Sequence, residues 1–385
     1  MALYELAILG SPTKEERLTL IGTLMRMVKP FELQFGTDVV IHDGTSVSGR
    51  DDRLAFAAVY FAVPGGTEDL GAAEQLVRKS APIIPSISCN GKFSDVPNAL
   101  SFANGLRRRK SDPQLEELAT AMLECAGLLS KQRRVFVSYR RTEARNAAVQ
   151  VHDELTARGF DVFLDTHIIR PGEPFQEVLF HRLVDSDVMV MLDTPSYFQS
   201  RWTKEEIGRA RAKQIQVLRV IWPEHKPTRM TDLSETVFVD PEELKGIDGP
   251  FADGLIDTIA NHVELLRTRS IAQRELDIVG KLKAEVGMIG GSVEGVGAYR
   301  AIGLRLEDGR RLWAYPVVGI PTAETLHDVV RKAESAEIGE IPILVYDHVG
   351  IREVWLSHLK WLGEQIHAIR QVKVSEAGWA LAGIH

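Results

Sequence analysis

Three short apolar runs, Val135–Ser138, Val162–Asp165 and Val188–Asp193, are separated from one another by segments of helical length. Their apolar residues are consecutive rather than alternating, the pattern of a strand buried on both faces. Such strands belong in a parallel sheet covered by helices, and ligands of such sheets gather beyond the carboxyl ends of the strands. The polar residues of this stretch stand at those ends. Tyr139, Arg140 and Arg141 follow the first run, Asp165 closes the second, and Thr194 to Trp202 follow the third. An α/β domain is therefore predicted from about residue 134, with its site at one edge of the sheet.

Three pieces of this stretch follow one another in a fixed order: VFVSYRR, RPGEPF and SRWTKEE. Together they resemble a TIR (Toll/interleukin-1 receptor) domain of the bacterial type, over roughly a third of the chain from Arg134 to about Leu266. The resemblance implies a flavodoxin-like parallel sheet. It also implies one of two trades: a self-associating signalling module, or an enzyme that cleaves the nicotinamide–ribose bond of NAD+. On that resemblance Glu206, the acid four residues after Trp202, carries the catalysis, whereas spacing alone leaves Glu205 and Glu206 both open. Trp202 would hold the ring or shape the pocket, Arg140 and Arg141 would meet the pyrophosphate, and Asp165 would orient the loop or the ribose. Tyr139, beside the arginines, and Phe175, after the loop, complete the nucleotide-binding set. The loop Ile168–Pro174 would dock on a neighbouring TIR domain or close over the nucleotide; some eukaryotic members are one residue shorter between the positions of Asp165 and Phe175. Thr203 stands where the family often has cysteine, a residue not usually assigned the chemistry.

The chemistry explains why a carboxylate is wanted. Breaking the C1′–nicotinamide bond gives the ribose oxocarbenium character, as in glycoside hydrolysis. Nicotinamide leaves without needing a proton, so a fixed carboxylate near the ribose matters more than a general acid. NAD+ would be the substrate, with no separate cofactor and no metal. Each residue also has a plainer structural explanation. Trp202 would be core, Arg140 and Arg141 surface charge, Asp165 a strand end, and Glu206 a surface glutamate on its helix. Two other functions compete with the hydrolase. One is a non-catalytic scaffold recruiting itself or other TIR proteins through Ile168–Pro174; the other is a sensor that binds a nucleotide without cleaving it.

The flanks read as α/β or α+β units. Leu6–Leu9, Asp38–Ile41, Phe56–Val63 and Ile83–Ile87 predict strands of an N-terminal Rossmann-like layer, itself a candidate degenerate relative of the TIR fold. Its first helix carries Leu18, Ile21, Met25 and Val28 on one stripe. The loop Gly44–Arg50 lacks a phosphate-loop pattern and reads as surface. Arg107-Arg108-Arg109-Lys110 reads as a solvated linker face, followed by a helix over Leu115–Leu129. Thr142 is a candidate N-cap for the helix after VFVSYRR, and Gly159 its stop. After the central domain, a helix from Ala252 runs on to Gly290-Gly291, AIGLRL and LWAYPVV make a hairpin, and IPILVY makes a strand. The domain boundaries predicted are 1–110, a linker helix 111–133, the TIR-like domain 134–268, a connector helix 269–291 and a C-terminal unit 292–385.

A net charge of −7 argues against a nucleic-acid binder, and gives no reason for attraction to an anionic membrane. Two cysteines cannot build a disulfide framework, no apolar run reaches spanning length, and no signal pattern opens the chain. These features point to a cytoplasmic protein, and the resemblance implies an immune-type effector of the antiviral kind.

Overall fold

A computed structural model describes residues 2–164, 174–199, 201–226 and 234–384, with the side chains at 175, 201 and 202 also outside the description. The chain divides into two compact units. One comprises Met1–Lys131, Gly290–Tyr315 and His327–Ile343; the other comprises Gln132–Ile289, Pro316–Leu326 and Leu344–His385.

In the first unit, β1 (Tyr4–Gly10), β2 (Val39–His42), β3 (Ala55–Ala62), β4 (Ile83–Ile87) and β5 (Leu106–Arg107) form a parallel sheet in the order β2-β1-β3-β4-β5. β1 and β3 are buried at every residue, as consecutive apolar runs require of central strands. Helix α1 (Lys14–Val28) begins with a capping box, Thr13 accepting from the Glu16 N–H while the Glu16 carboxylate accepts from Thr13 N–H. Its buried stripe is Leu20, Leu24, Met27 and Val28, whereas Leu18 and Met25 are exposed. The predicted stripe of Leu18, Ile21, Met25 and Val28 thus meets the buried one only at Val28. Apolar residues recur at helical spacing on both sides of α1, and only the sheet decides which side is covered. Helix α2 (Leu70–Arg78) buries Ala73 and Leu76 against β1, β3 and β4, and α3 (Glu116–Cys125) packs with α1 and β3.

The Arg107–Lys110 run is not a solvated linker. Arg107 lies in β5, Arg108 lies over the Phe61 ring and pairs with Glu16 at 2.8 Å, and Arg109 pairs with Glu117. The same unit holds the antiparallel β11 (Ser292–Val296), β12 (Ile302–Arg305) and most of β13 (Arg311–Val317), with Gly309 at positive φ in the β12–β13 turn, and most of α8 (Ala323–Ser335).

The second unit is built on β6 (Arg134–Ser138), β7 (Asp161–Leu164), β8 (Val188–Asp193), β9 (Gln216–Ile221) and β10 (Glu235–Phe238), all parallel, in the order β10-β9-β8-β6-β7. Relabelled within the domain this is 2-1-3-4-5 read from the other edge, the flavodoxin-like order. One face is covered by α4 (Arg141–Ala157) and the first half of α7 (Asp253–Met288), which bring Ala148, Val151, Leu155, Ile259 and Val263 to the core. The other is covered by α5 (Phe175–Asp185) and α6 (Arg201–Ala212), through Leu179, Leu183, Ile207 and Ala210. Thr142 is not the cap: α4 opens one residue earlier with Arg140 in the N-cap position, and its first turn bends at Ala144. Gly159 ends it at φ +81, as a left-handed glycine after a helix does. The 36 residues of α7 also carry buried charge: Arg267 donates to Asp187 at 2.9 Å, and Arg274 donates to the carbonyls of Val184 and Ser186. The unit is completed by most of β14 (Ile343–Tyr346), with α9 (Glu353–Gln365), β15 (Arg370–Lys373) and α10 (Ala377–Ala382). No helix among the described residues is long and apolar enough to cross a membrane.

Candidate functional site

The order of the second sheet reverses between β6 and β8, and the crevice at their carboxyl ends is where doubly wound folds receive ligands. Alternation along β6 decides which side chains reach each face. Val135, Val137 and Tyr139 enter the core under α4 and α7, while Phe136 points toward α5 and α6, and Ser138, two residues on, shares its side. On β8 the same parity puts Met189 and Met191 on the α5–α6 side and carries Asp193 there too.

Glu206 meets Ser138 on that face. The Ser138 hydroxyl donates to Glu206 Oε2 at 2.5 Å and lies 2.7 Å from the Tyr197 hydroxyl. All three are buried, with exposures of 1% for Ser138, 0% for Tyr197 and 3% for Glu206. Glu206 is therefore not the surface glutamate of the plainer explanation, because the helix turns it inward toward the sheet. Glu205, one position earlier, is only partly covered. Thr203 donates to the Tyr197 carbonyl at 3.0 Å, which ties the first turn of α6 to the preceding 3₁₀ turn Tyr197–Gln199. The position where the family often has cysteine thus has a packing role here.

The loop between β8 and α6 is clamped from the start of α4. Arg140 donates to the Ser196 carbonyl at 2.6 Å, and the Ser196 N–H donates to Glu143 at 3.2 Å. Burial pushes the Glu143 carboxyl up, but hydrogen bonding from Thr194 and Ser196, with the nearby Arg140 charge, holds it below the ordinary glutamate range. Arg140 also lies 3.6 Å from Glu143, so its guanidinium already has protein partners. Arg141 is exposed on the first turn of α4, and Tyr139 is 5% exposed in the core on the opposite face from Glu206. Asp165, the loop Ile168–Pro174 apart from Pro174, and the side chains of Phe175 and Trp202 lie outside the described residues.

A second buried charge group stands beside this crevice. Arg219, in the middle of β9, donates to Asp193 Oδ2 at 2.7 Å, and His225 Nε2 lies 3.3 Å from Asp193 Oδ1. Asp193 is 0% and Arg219 2% exposed. Ser138, Glu143 and this pair are not among the residues expected from the sequence, and Tyr197 is expected only as part of Thr194–Trp202. A signal was present: an arginine inside the run IQVLRVIW must find a carboxylate if the strand is buried.

A doubly wound parallel domain with an inward glutamate at its topological switch point defines the class. Within it, residues 135–249 match the TIR domain family, so the chain carries a TIR domain. No curated protein matches the chain. Among solved structures, the C-terminal domain of glucosamine-fructose-6-phosphate aminotransferase from Francisella tularensis is similar at 12% identity, over 71% of this chain and 85% of that one. Its TM-score of 0.20 is too low to carry weight.

Proposed function

We propose that the TIR domain is an NAD+ nucleosidase, releasing nicotinamide and ADP-ribose in linear or cyclic form. The observation that supports this reading best is the inward Glu206 carboxylate, held by Ser138 at the carboxyl end of β6, beside the switch point of the sheet. A carboxylate fixed there meets the requirement of the chemistry, negative charge preorganised where positive charge develops. As the C1′–N bond breaks, its electron pair neutralises the nicotinamide ring, and C1′ becomes oxocarbenium-like. Water, or a group of the adenine for a cyclic product, then adds at C1′ with loss of a proton. Trp202 and Asp165 are assigned to shaping the pocket and orienting the ribose, on the strength of the family resemblance. Activity is assigned to self-associated TIR domains, and the setting to an immune-type effector whose other unit senses the trigger or organises assembly.

One observation favours a second reading, the non-catalytic scaffold. Glu206 is covered and hydrogen-bonded, as a purely structural glutamate would also be. Nicotinamide release by concentrated protein, measured beside NAD+ binding, separates the two. Release that disappears in Glu206→Gln supports the enzyme; binding partners without NAD+ consumption supports the scaffold.

A further inference from the structure

The proton inventory at Glu206 restricts how it is held. Ser138 has one hydroxyl hydrogen, and the 2.5 Å contact with Glu206 uses it when the carboxylate is ionised and can only accept. The 2.7 Å contact with Tyr197 must then run the other way, Tyr197 donating and Ser138 accepting. The three groups come from three separate elements: β6, the 3₁₀ turn after β8, and α6. The Thr203 bond to the Tyr197 carbonyl closes the last two against each other.

We propose that Ser138 and Tyr197 are positioning residues for Glu206, acting as a one-way hydrogen-bonded chain in which Tyr197 works through Ser138. The chain fixes the carboxylate's orientation, because each hydroxyl polarises the next in a dry environment. No other proton assignment gives an ionised Glu206 and both observed contacts a donor. The inference rests on the nucleosidase reading for its kinetic consequence, but not for its spectroscopic one.

The test uses the full chain and Ser138→Ala, Tyr197→Phe and the double variant. Ser138→Ala removes a hydrogen bond to a charge and is expected to lower kcat about 10- to 100-fold, with KM within about twofold. Tyr197→Phe removes a neutral bond one step back and is expected to lower kcat about 3- to 10-fold. In the Ser138→Ala background Tyr197→Phe should cost almost nothing further, which separate packing roles would not produce. Ser138→Thr, which keeps the hydroxyl, should recover most of the loss. The infrared difference between each variant and its Glu206→Gln partner isolates the carboxylate stretch without any turnover. That band should move in Ser138→Ala, and move in Tyr197→Phe only while Ser138 is present. An equal effect of Tyr197→Phe in both backgrounds, or a band and kcat unmoved by Ser138→Ala, overturns the chain. A wild type that never cleaves NAD+ removes the nucleosidase reading, and the infrared cycle then decides the chain alone.

Discussion

Glu206→Gln changes one oxygen for an NH2 group and removes one charge, with almost no change in volume. The carboxylate is 3% exposed and takes the Ser138 hydroxyl at 2.5 Å, so water does not stand in for what is lost. If that charge stabilises the developing ribose cation, turnover should fall on the order of 10²-fold or more, about 2.7 kcal/mol of barrier. Folding should change much less. A hydrogen bond to a charged acceptor becomes one to a neutral acceptor, a loss of about 1 kcal/mol, and the cost of burying the charge disappears at the same time. The melting temperature should therefore stay within a few degrees of wild type. NAD+ affinity should survive better than turnover, because the carboxylate matters most in the transition state. The assay is nicotinamide release over a range of NAD+ concentrations, with binding measured separately on the same preparations. A folded Glu206→Gln protein that releases nicotinamide at the wild-type rate would refute the mechanism.

Glu205→Gln, on the partly covered neighbour, should reduce turnover less than threefold in the same assay, and a loss matching that of Glu206→Gln would put the helix register in the wrong place. Asp193→Asn leaves the buried Arg219 charge facing a neutral amide; this should cost roughly 3–5 kcal/mol, seen as a melting temperature lower by on the order of 10 °C. His181 is pushed down to about 4 by burial and by the charges of Arg182, Arg352 and Arg134. Between its ordinary value of 6.5 and about 4 the unfolded chain binds this proton and the folded one does not, so stability falls as pH drops through that window. His181→Gln should flatten that part of the unfolding free energy against pH, and an unchanged slope would show that the imidazole is not its source. Nicotinamide release should rise more steeply than linearly with protein concentration; full activity per molecule at high dilution would exclude assembly as the switch.

The central sheet was legible in the chain because burial on both faces leaves a mark that needs no partner to interpret. VFVS, VFL and VMVMLD are apolar without alternation, and each became a strand within a residue of where the pattern put it. Gly159 and Asp308-Gly309 marked a helix end and a turn for an equally local reason, the left-handed backbone that glycine adopts without penalty. The choice of Glu206 over Glu205 came from resemblance, since two adjacent acids on a helix differ by only about 100° in direction. Tertiary structure decided the rest. Helix α1 offers two apolar stripes, and packing against the sheet selected Leu20, Leu24 and Met27 over Leu18 and Met25. Arg108 looked like a solvated charge until Glu16 and Phe61, far off in sequence, closed around it. Ser138 is brought to Tyr197 and Glu206 by the strand order β8-β6 and by the parity of β6. Neither is written in any one segment: a hydrogen bond between residues 68 apart exists only after the sheet has brought their backbones together.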